Sequence, residues 1–310
     1  MRIIRDYQYI EQHDRGAIAA IGNFDGVHLG HQSIIDVAQK LKISAPLGVL
    51  TFEPHPREYF SPGAPAFRLM SATARASRLA KLGVKRLYEL NFNKSLASLT
   101  PSEFATKVIH QGLGLSHVVI GSDFCFGKAR AGTAEDLKKL GVELGFGVTI
   151  SELIKSNGSA VSSTAIRKAL SEGRPHDAAE MLGHWHRIEG PVIRGEQRGR
   201  QLGFPTANMS INGIHRPGFG VYAVLVDVLN GSHKGNYQGV ASVGIRPMFG
   251  NNQPNIETFL FDFSGDLYGA TMSVGLIAFL RPEKKFDDID HLIIQMNDDC
   301  KESHKILNLI

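Results

Sequence analysis

Ala17-Ile18-Ala19-Ala20-Ile21-Gly22-Asn23-Phe24-Asp25-Gly26-Val27-His28-Leu29-Gly30-His31 runs from an apolar segment, through a glycine-punctuated turn, to two histidines three residues apart. The five apolar residues predict a buried strand. The glycines let the backbone turn and approach a ligand closely. The histidines fall at the mouth of a helix, where unpaired N–H groups and the positive end of the helix dipole favour an anion. Three-residue spacing puts both imidazoles on one face. A zinc site needs three or four ligands, and no third ligand in this loop completes one with the pair, so phosphate contact is favoured over metal. Strand, glycine turn and helix start together point to a nucleoside triphosphate.

Working outward, residues 1–183 alternate strand and helix patterns. Strands are predicted over Ala17–Ile21, Leu47–Phe52, Arg86–Leu90, His117–Ile120 and Gly147–Ser151, each short and apolar as strands buried on both faces are. Between them, Thr100-Pro101-Ser102-Glu103 predicts a helix start with a capping box. Such alternation predicts a doubly wound parallel sheet, with ligands bound beyond the carboxyl ends of its strands. Ser162, Ser163 and Thr164 supply hydroxyls at a predicted helix start, and Arg167 follows within a turn, so that they suit a polyphosphate. Gly121-Ser122-Asp123-Phe124-Cys125-Phe126-Gly127-Lys128-Ala129 imitates a P-loop but has one residue too many between its glycines and Ala129 where a hydroxyl is needed. Its alternating Phe124 and Phe126 leave one ring for the core and one for stacking on a flat ligand.

The pattern changes near Gly183, with a boundary expected between Leu182 and Gly190. Short strands over Gly220–Val228, Gln238–Val243, Glu257–Phe263 and Met272–Leu280, broken by Gly, Pro and Asn, predict an antiparallel barrel or sandwich. Ile289, Leu292, Ile293, Met296 and Cys300 form one stripe of a final helix, expected to pack against it. The stretch from Gly190 to Asn208 is a basic, glycine-spaced loop that ends in Pro205-Thr206-Ala207-Asn208. Gly195, Arg200 and Gly203 suit phosphates, and the oxygens of Thr206 and Asn208 suit a hard cation such as Mg²⁺. Glu257 is a charge inside an apolar strand pattern, rarely placed without purpose.

The chain has 310 residues, enough for two domains. With 43% hydrophobic and 21% charged residues it reads as an ordinary soluble protein, and a scattered net charge of +4 suits small anions rather than nucleic acid. No apolar run of about 18 residues predicts a membrane span, and the first residues lack the apolar core of a signal peptide. Cys125 and Cys300 have no pairing or ligand spacing, so two free thiols in a reducing cytoplasm are expected.

On the motifs Gly22–His31, Phe52-Glu53-Pro54-His55-Pro56, Gly121–Gly127 and Ser162–Arg167, the first domain resembles the adenylyltransferase module of bacterial bifunctional FAD synthetases (riboflavin kinase/FMN adenylyltransferase). Gly190–Asn208, Gly220-Val221-Tyr222, Ser242-Val243-Gly244, Ile256-Glu257-Thr258 and the stretch from Asp262 to Gly269 resemble the kinase module, a six-stranded barrel. The resemblance implies modules over 1–183 and 184–310, riboflavin, FMN and ATP as ligands, Mg²⁺, and a monomer or weak homo-oligomer. It implies that His28 and His31 contact ATP phosphates and the leaving pyrophosphate, in a loop whose Gly22, Phe24 and Gly26 line the nucleotide. Ser162, Ser163, Thr164 and Arg167 would hold the far phosphates. Phe52, Asp123 and Phe126 would face the flavin, and Glu257 would be the base for the ribityl hydroxyl. The chain departs from the family at Met248 and at Ser303-His304, where an Ala-Arg pair is usual. Two other readings stay open: an adenylyltransferase for another phosphorylated metabolite, and a flavin-binding paralogue without catalysis.

Overall fold

The computed structural model describes residues 1–310 except 42, 153, 157, 158, 196–198, 200, 201, 249 and 250; at 155, 156, 159, 160, 246–248, 251 and 252 it describes the backbone alone. By internal contacts the chain forms two compact units. Met1–Pro65 with Ala72–Ser162 make one, and Ala66–Ser71 with Ser163–Ile310 make the other.

The first unit is built on a six-stranded sheet. Its strands are β1 (Arg2–Ile4), β2 (Ile18–Ile21), β3 (Leu47–Glu53), β4 (Arg86–Asn91), β5 (His117–Gly121) and β6 (Gly147–Ser151). They lie in the order β1-β4-β3-β2-β5-β6, every pair parallel. Both faces are covered. Ile18 and Val119 pack with Ala38 of the helix Leu29–Lys40, while Ala19, Ile21 and Val118 join a core that includes Val108 and Leu137 of helices on the opposite face. That double cover explains why these strands read as unbroken apolar runs. The order reverses where β2 meets β5, so the loops after Ile21 and after Gly121 leave the sheet side by side at its switch point. The capping box at Thr100 and Glu103 forms as predicted. Beyond it, Phe104–Gly112 winds as a π-helix, a form rarely longer than a single turn.

The second unit holds a barrel of β7 (Arg187–Pro191), β8 (Ala207–Ser210), β9 (Gly220–Val228), β10 (Gly235–Met248), β11 (Asn251–Leu260) and β12 (Thr271–Pro282), in the order β7-β12-β9-β10-β11-β8, all antiparallel. An antiparallel bridge between Ile193, just past β7, and Asn208 of β8 nearly closes the ring. Met209, Val224, Val243, Ile256 and Val274 fill the interior. The helix Ile289–Leu307 covers the outside through Leu307, Ile306 and Cys300, and a two-pronged Arg281–Asp299 ion pair, 2.7–3.1 Å, ties it to the end of β12. Ahead of the barrel, Ile166, Leu170, Ala178 and Leu182 of the helices Ser163–Ser171 and Pro175–Leu182 bury Leu69.

His186, 2% exposed at the entry to β7, sets an acid limit on this unit. Burial, reinforced by His184 and His215, pushes its pKa down to about 3, and its Nε2 has no hydrogen-bond partner among the described residues. Above pH 6.5 the ring is neutral whether folded or not, so its contribution to stability is whole. As pH falls from 6.5 towards 3 the unfolded chain takes up a proton that the folded chain refuses, and stability declines. At pH 5 the loss is about 2 kcal/mol relative to neutral pH. His186→Phe is therefore expected to flatten the acid limb of denaturant midpoints between pH 7 and pH 5, followed through Trp185, the chain's one tryptophan.

Two candidate active sites

In the first unit, the loop between β2 and the helix Leu29–Lys40 takes an unusual path. Phe24 and Val27 have φ of +51° and +44°, conformations that L-residues adopt at a cost. The loop delivers His28 as the helix N-cap. The His28 Nδ1 accepts the backbone N–H of His31 at 3.4 Å. The two imidazoles stack at 3.7 Å between centroids, inclined by 15°, and the Phe24 ring lies 4.9 Å beyond His31. Gly30 permits this: a Cβ there would stand 3.2 Å from the His28 ring. Burial, and then the neighbouring His28, hold the His31 pKa well below the ordinary imidazole value. His31 is thus neutral at pH 7, and its buried Nδ1 is unpaired among the described residues. Two stacked rings at a helix N-terminus, His31 among them neutral, offer a surface suited to phosphate oxygens.

The aromatic residues of this unit sort themselves by depth. Phe52 meets Phe92 edge-on at 5.6 Å, and Phe126, 6% exposed, belongs to the core and stacks on the partly exposed Phe124 at 5.6 Å. Asp123 is exposed on the loop after β5. Tyr59, Phe60 and Phe92 form an edge-to-face cluster continuous with Phe52, unforeseen from sequence although Tyr59-Phe60 stands two residues past the Phe52–Pro56 motif. Ser162 lies in this unit, whereas Ser163, Thr164 and Arg167 fall in the other. There Arg167 donates to the Phe67 carbonyl at 2.6 Å and covers the Phe67 ring.

In the second unit, a rung of side chains crosses five barrel strands. Asn208 of β8 stands opposite Glu257 of β11, Glu257 opposite Ser242 of β10, Ser242 opposite Val221 of β9, and Val221 opposite Arg281 of β12. All five line a cavity of about 830 Å³. Their strand neighbours Ile256 and Val243 point into the barrel, so the alternation of a pleated strand puts the carboxylate of Glu257, half-buried, on the cavity wall. Gly195, Gly199, Phe204 and Thr206 line the same cavity. The Asn208 amide turns to Thr206, with Nδ2 3.3 Å from its carbonyl and 3.4 Å from its hydroxyl. A Cβ on Gly195 would stand 2.7–3.0 Å from that amide. The gap kept by Gly195 beside two neutral oxygen donors suits a small hard cation. Gly203 turns the chain with φ +85° before Thr206, and Arg200 lies outside the described residues.

The terminal stripe divides. Ile289, Leu292, Met296 and Cys300 line the cavity, so the apolar residues expected to pack on the barrel form, for most of their length, a wall of this site. Burial, with Asp299 adding to it, pushes the Cys300 thiol up to about 11, keeping it protonated. The Met248 side chain is outside the described residues. His304 stacks on Phe261 at 3.9 Å, and Ser303 donates to the Gly239 carbonyl.

The FAD synthetase family model matches residues 10–165 and the riboflavin kinase family model matches 182–307. A bifunctional riboflavin kinase/FMN adenylyltransferase of Pseudomonas fluorescens is 38% identical over 302 residues, 96% of each chain, and that of Bacillus subtilis (strain 168) is 35% identical over 310 residues, 98% of this chain and 96% of that one. The chain belongs to the bifunctional riboflavin kinase/FMN adenylyltransferase family. A solved structure described as a macrolide-efflux protein from Streptococcus pneumoniae is 33% identical, with a TM-score of 0.84 over 96% of both chains. Among the described residues, no helix of this riboflavin kinase/FMN adenylyltransferase family member is long and apolar enough to cross a membrane. The stacked histidines lie within the FAD synthetase match, and the Asn208–Glu257 rung within the riboflavin kinase match.

Proposed function

We propose that this chain phosphorylates riboflavin to FMN with one ATP and adenylylates FMN to FAD with a second, in functional modules over 1–183 and 184–310. The family-model matches support that division; the compact units part at Ser162 instead because the helices after it pack with Leu69. The observation that carries the kinase reading is the rung that sets Glu257 beside Asn208 on a cavity wall. Glu257 accepts the proton of the ribityl 5′-hydroxyl as its oxygen attacks the γ-phosphorus and the bond to ADP breaks. Thr206 and Asn208 would hold Mg²⁺, which when bound offsets the charge of the polyphosphate. The apolar wall of Leu292 and Met296 takes the flavin ring.

In the first module the FMN phosphate, already anionic, attacks the α-phosphorus of ATP and pyrophosphate leaves. No strong base is needed. His28, the neutral His31 and the first-turn N–H groups align the phosphates and stabilise the charge that moves to the leaving oxygen. Ser162, of the same unit, adds a phosphate contact, and Phe52 and Asp123 border the flavin, with Phe126 backing them from the core. We place the reaction in the cytoplasm, in a monomer or weak homo-oligomer.

Purified protein incubated with riboflavin, ATP and Mg²⁺ is expected to yield FMN and then FAD on chromatography, and EDTA is expected to stop FMN formation. Absence of turnover would favour a flavin-binding protein, and AMP transfer to a non-flavin acceptor alone would favour a different adenylyltransferase.

A further inference from the structure

Beneath the histidine loop lies a buried charge cluster that neither activity uses directly. Arg75, 3% exposed on the helix Ala72–Lys81, pairs through Nη2 with Glu53 at 3.0 Å and Glu89 at 3.1 Å, and Arg5 pairs with Glu89 from outside at 3.2 Å. Nη1 of the same guanidinium donates to the Asn23 carbonyl at 3.4 Å. The hydroxyl of Thr51, fully buried on β3, donates to that carbonyl at 3.1 Å. Both of its lone pairs are thereby engaged.

Asn23 is where the chain leaves the sheet. The Gly22 N–H is still held by Leu50 of β3, and the positive-φ residues Phe24, Gly26 and Val27 follow at once. Such a path persists only where its surroundings over-determine it. Glu53 and Glu89 would hold the guanidinium in place without Asn23; the bond to the carbonyl adds a fixed start for the loop that ends at His28. We infer that Arg75 is a positioning residue for adenylyl transfer, fixing through the Asn23 carbonyl the loop that presents His28 and His31. This inference rests on the adenylyl-transfer reading of the site.

Two variants separate positioning from mere support. Thr51→Val removes one donor to Asn23 and leaves every charge intact. Arg75→Met with Glu89→Gln removes the other donor without stranding a buried carboxylate between two lost partners. Adenylyl transfer to supplied FMN is measured for each, with the melting temperature alongside. Misalignment at the reacting phosphates predicts a kcat lower by about 10-fold for Thr51→Val and about 100-fold for the double variant, with KM for ATP and FMN within about twofold of the parent. A kcat within twofold of the parent in both variants overturns the inference. So does a loss confined to KM, or one that tracks the melting temperature. Full adenylyl transfer in His28→Ala would sink the site reading itself, whereas loss there together with a parent-like kcat in both Thr51→Val and the double variant would sink the positioning role alone.

Discussion

His28→Ala is expected to abolish FAD formation while FMN still accumulates at the parent rate. The imidazole has two tasks in the first unit: it caps the helix Leu29–Lys40 through Nδ1, and it stacks on His31 at the helix N-terminus, where the proposed phosphates lie. Losing the cap costs about 1 kcal/mol, too little to unfold a domain of this size. Losing a charge-stabilising group at a phosphoryl leaving oxygen costs about 10²–10³-fold in kcat. His28→Asn separates the two tasks, since asparagine caps a helix as well as any residue. It is expected to match the parent in melting temperature and His28→Ala in lost FAD synthesis. FAD formed from ATP and FMN at the parent rate in His28→Asn would mean that the ring only caps.

Glu257→Gln is expected to show the opposite separation, with FMN synthesis lost and FAD synthesis from supplied FMN retained. Glutamine keeps the shape of the side chain and an oxygen for the Asn255 amide, which sits 3.4 Å from Glu257 Oε1. It removes only the ability to take a proton. The contribution of a general base is typically about 10²–10⁴-fold, and the loss should fall on kcat with the riboflavin KM little changed. If both variants lost both activities in folded protein, two separate sites would be untenable.

The parallel sheet was legible because β2, β3 and β5 are buried on both faces and so carry unbroken apolar runs, each followed by glycine or a helix cap. β1 was not: it has three residues, and Arg2 and Ile3 are exposed. In the barrel the long strands β9 and β12 announced themselves by composition, whereas β7 and β8 are short and interrupted by Gly190, Pro191 and Asn208. β8 went unseen for a further reason. The motif Pro205–Asn208 reads as loop chemistry, yet Asn208 is a strand residue held by both Ile193 and the β11 ladder. Thr206, Asn208 and Glu257 were individually visible; that one rung aligns Asn208 and Glu257 with Ser242 and Arg281 was not, because cross-strand register depends on turns that sequence does not number. That Leu292 and Met296 of the barrel-packed helix also line the cavity was not legible, since an apolar stripe looks the same whichever surface it meets.

The row from Asn208 to Arg281 works as a ruler laid across the barrel staves. Neighbouring strands are about 4.8 Å apart, so its four gaps span about 19 Å measured along the curved wall. Because side chains alternate, a single-residue insertion within β11 would swing Glu257 inward, seat a carboxylate where Ile256 now lies, and present an aliphatic side chain to the cavity. Length changes are therefore tolerable in the hairpins that join the staves and ruinous within them.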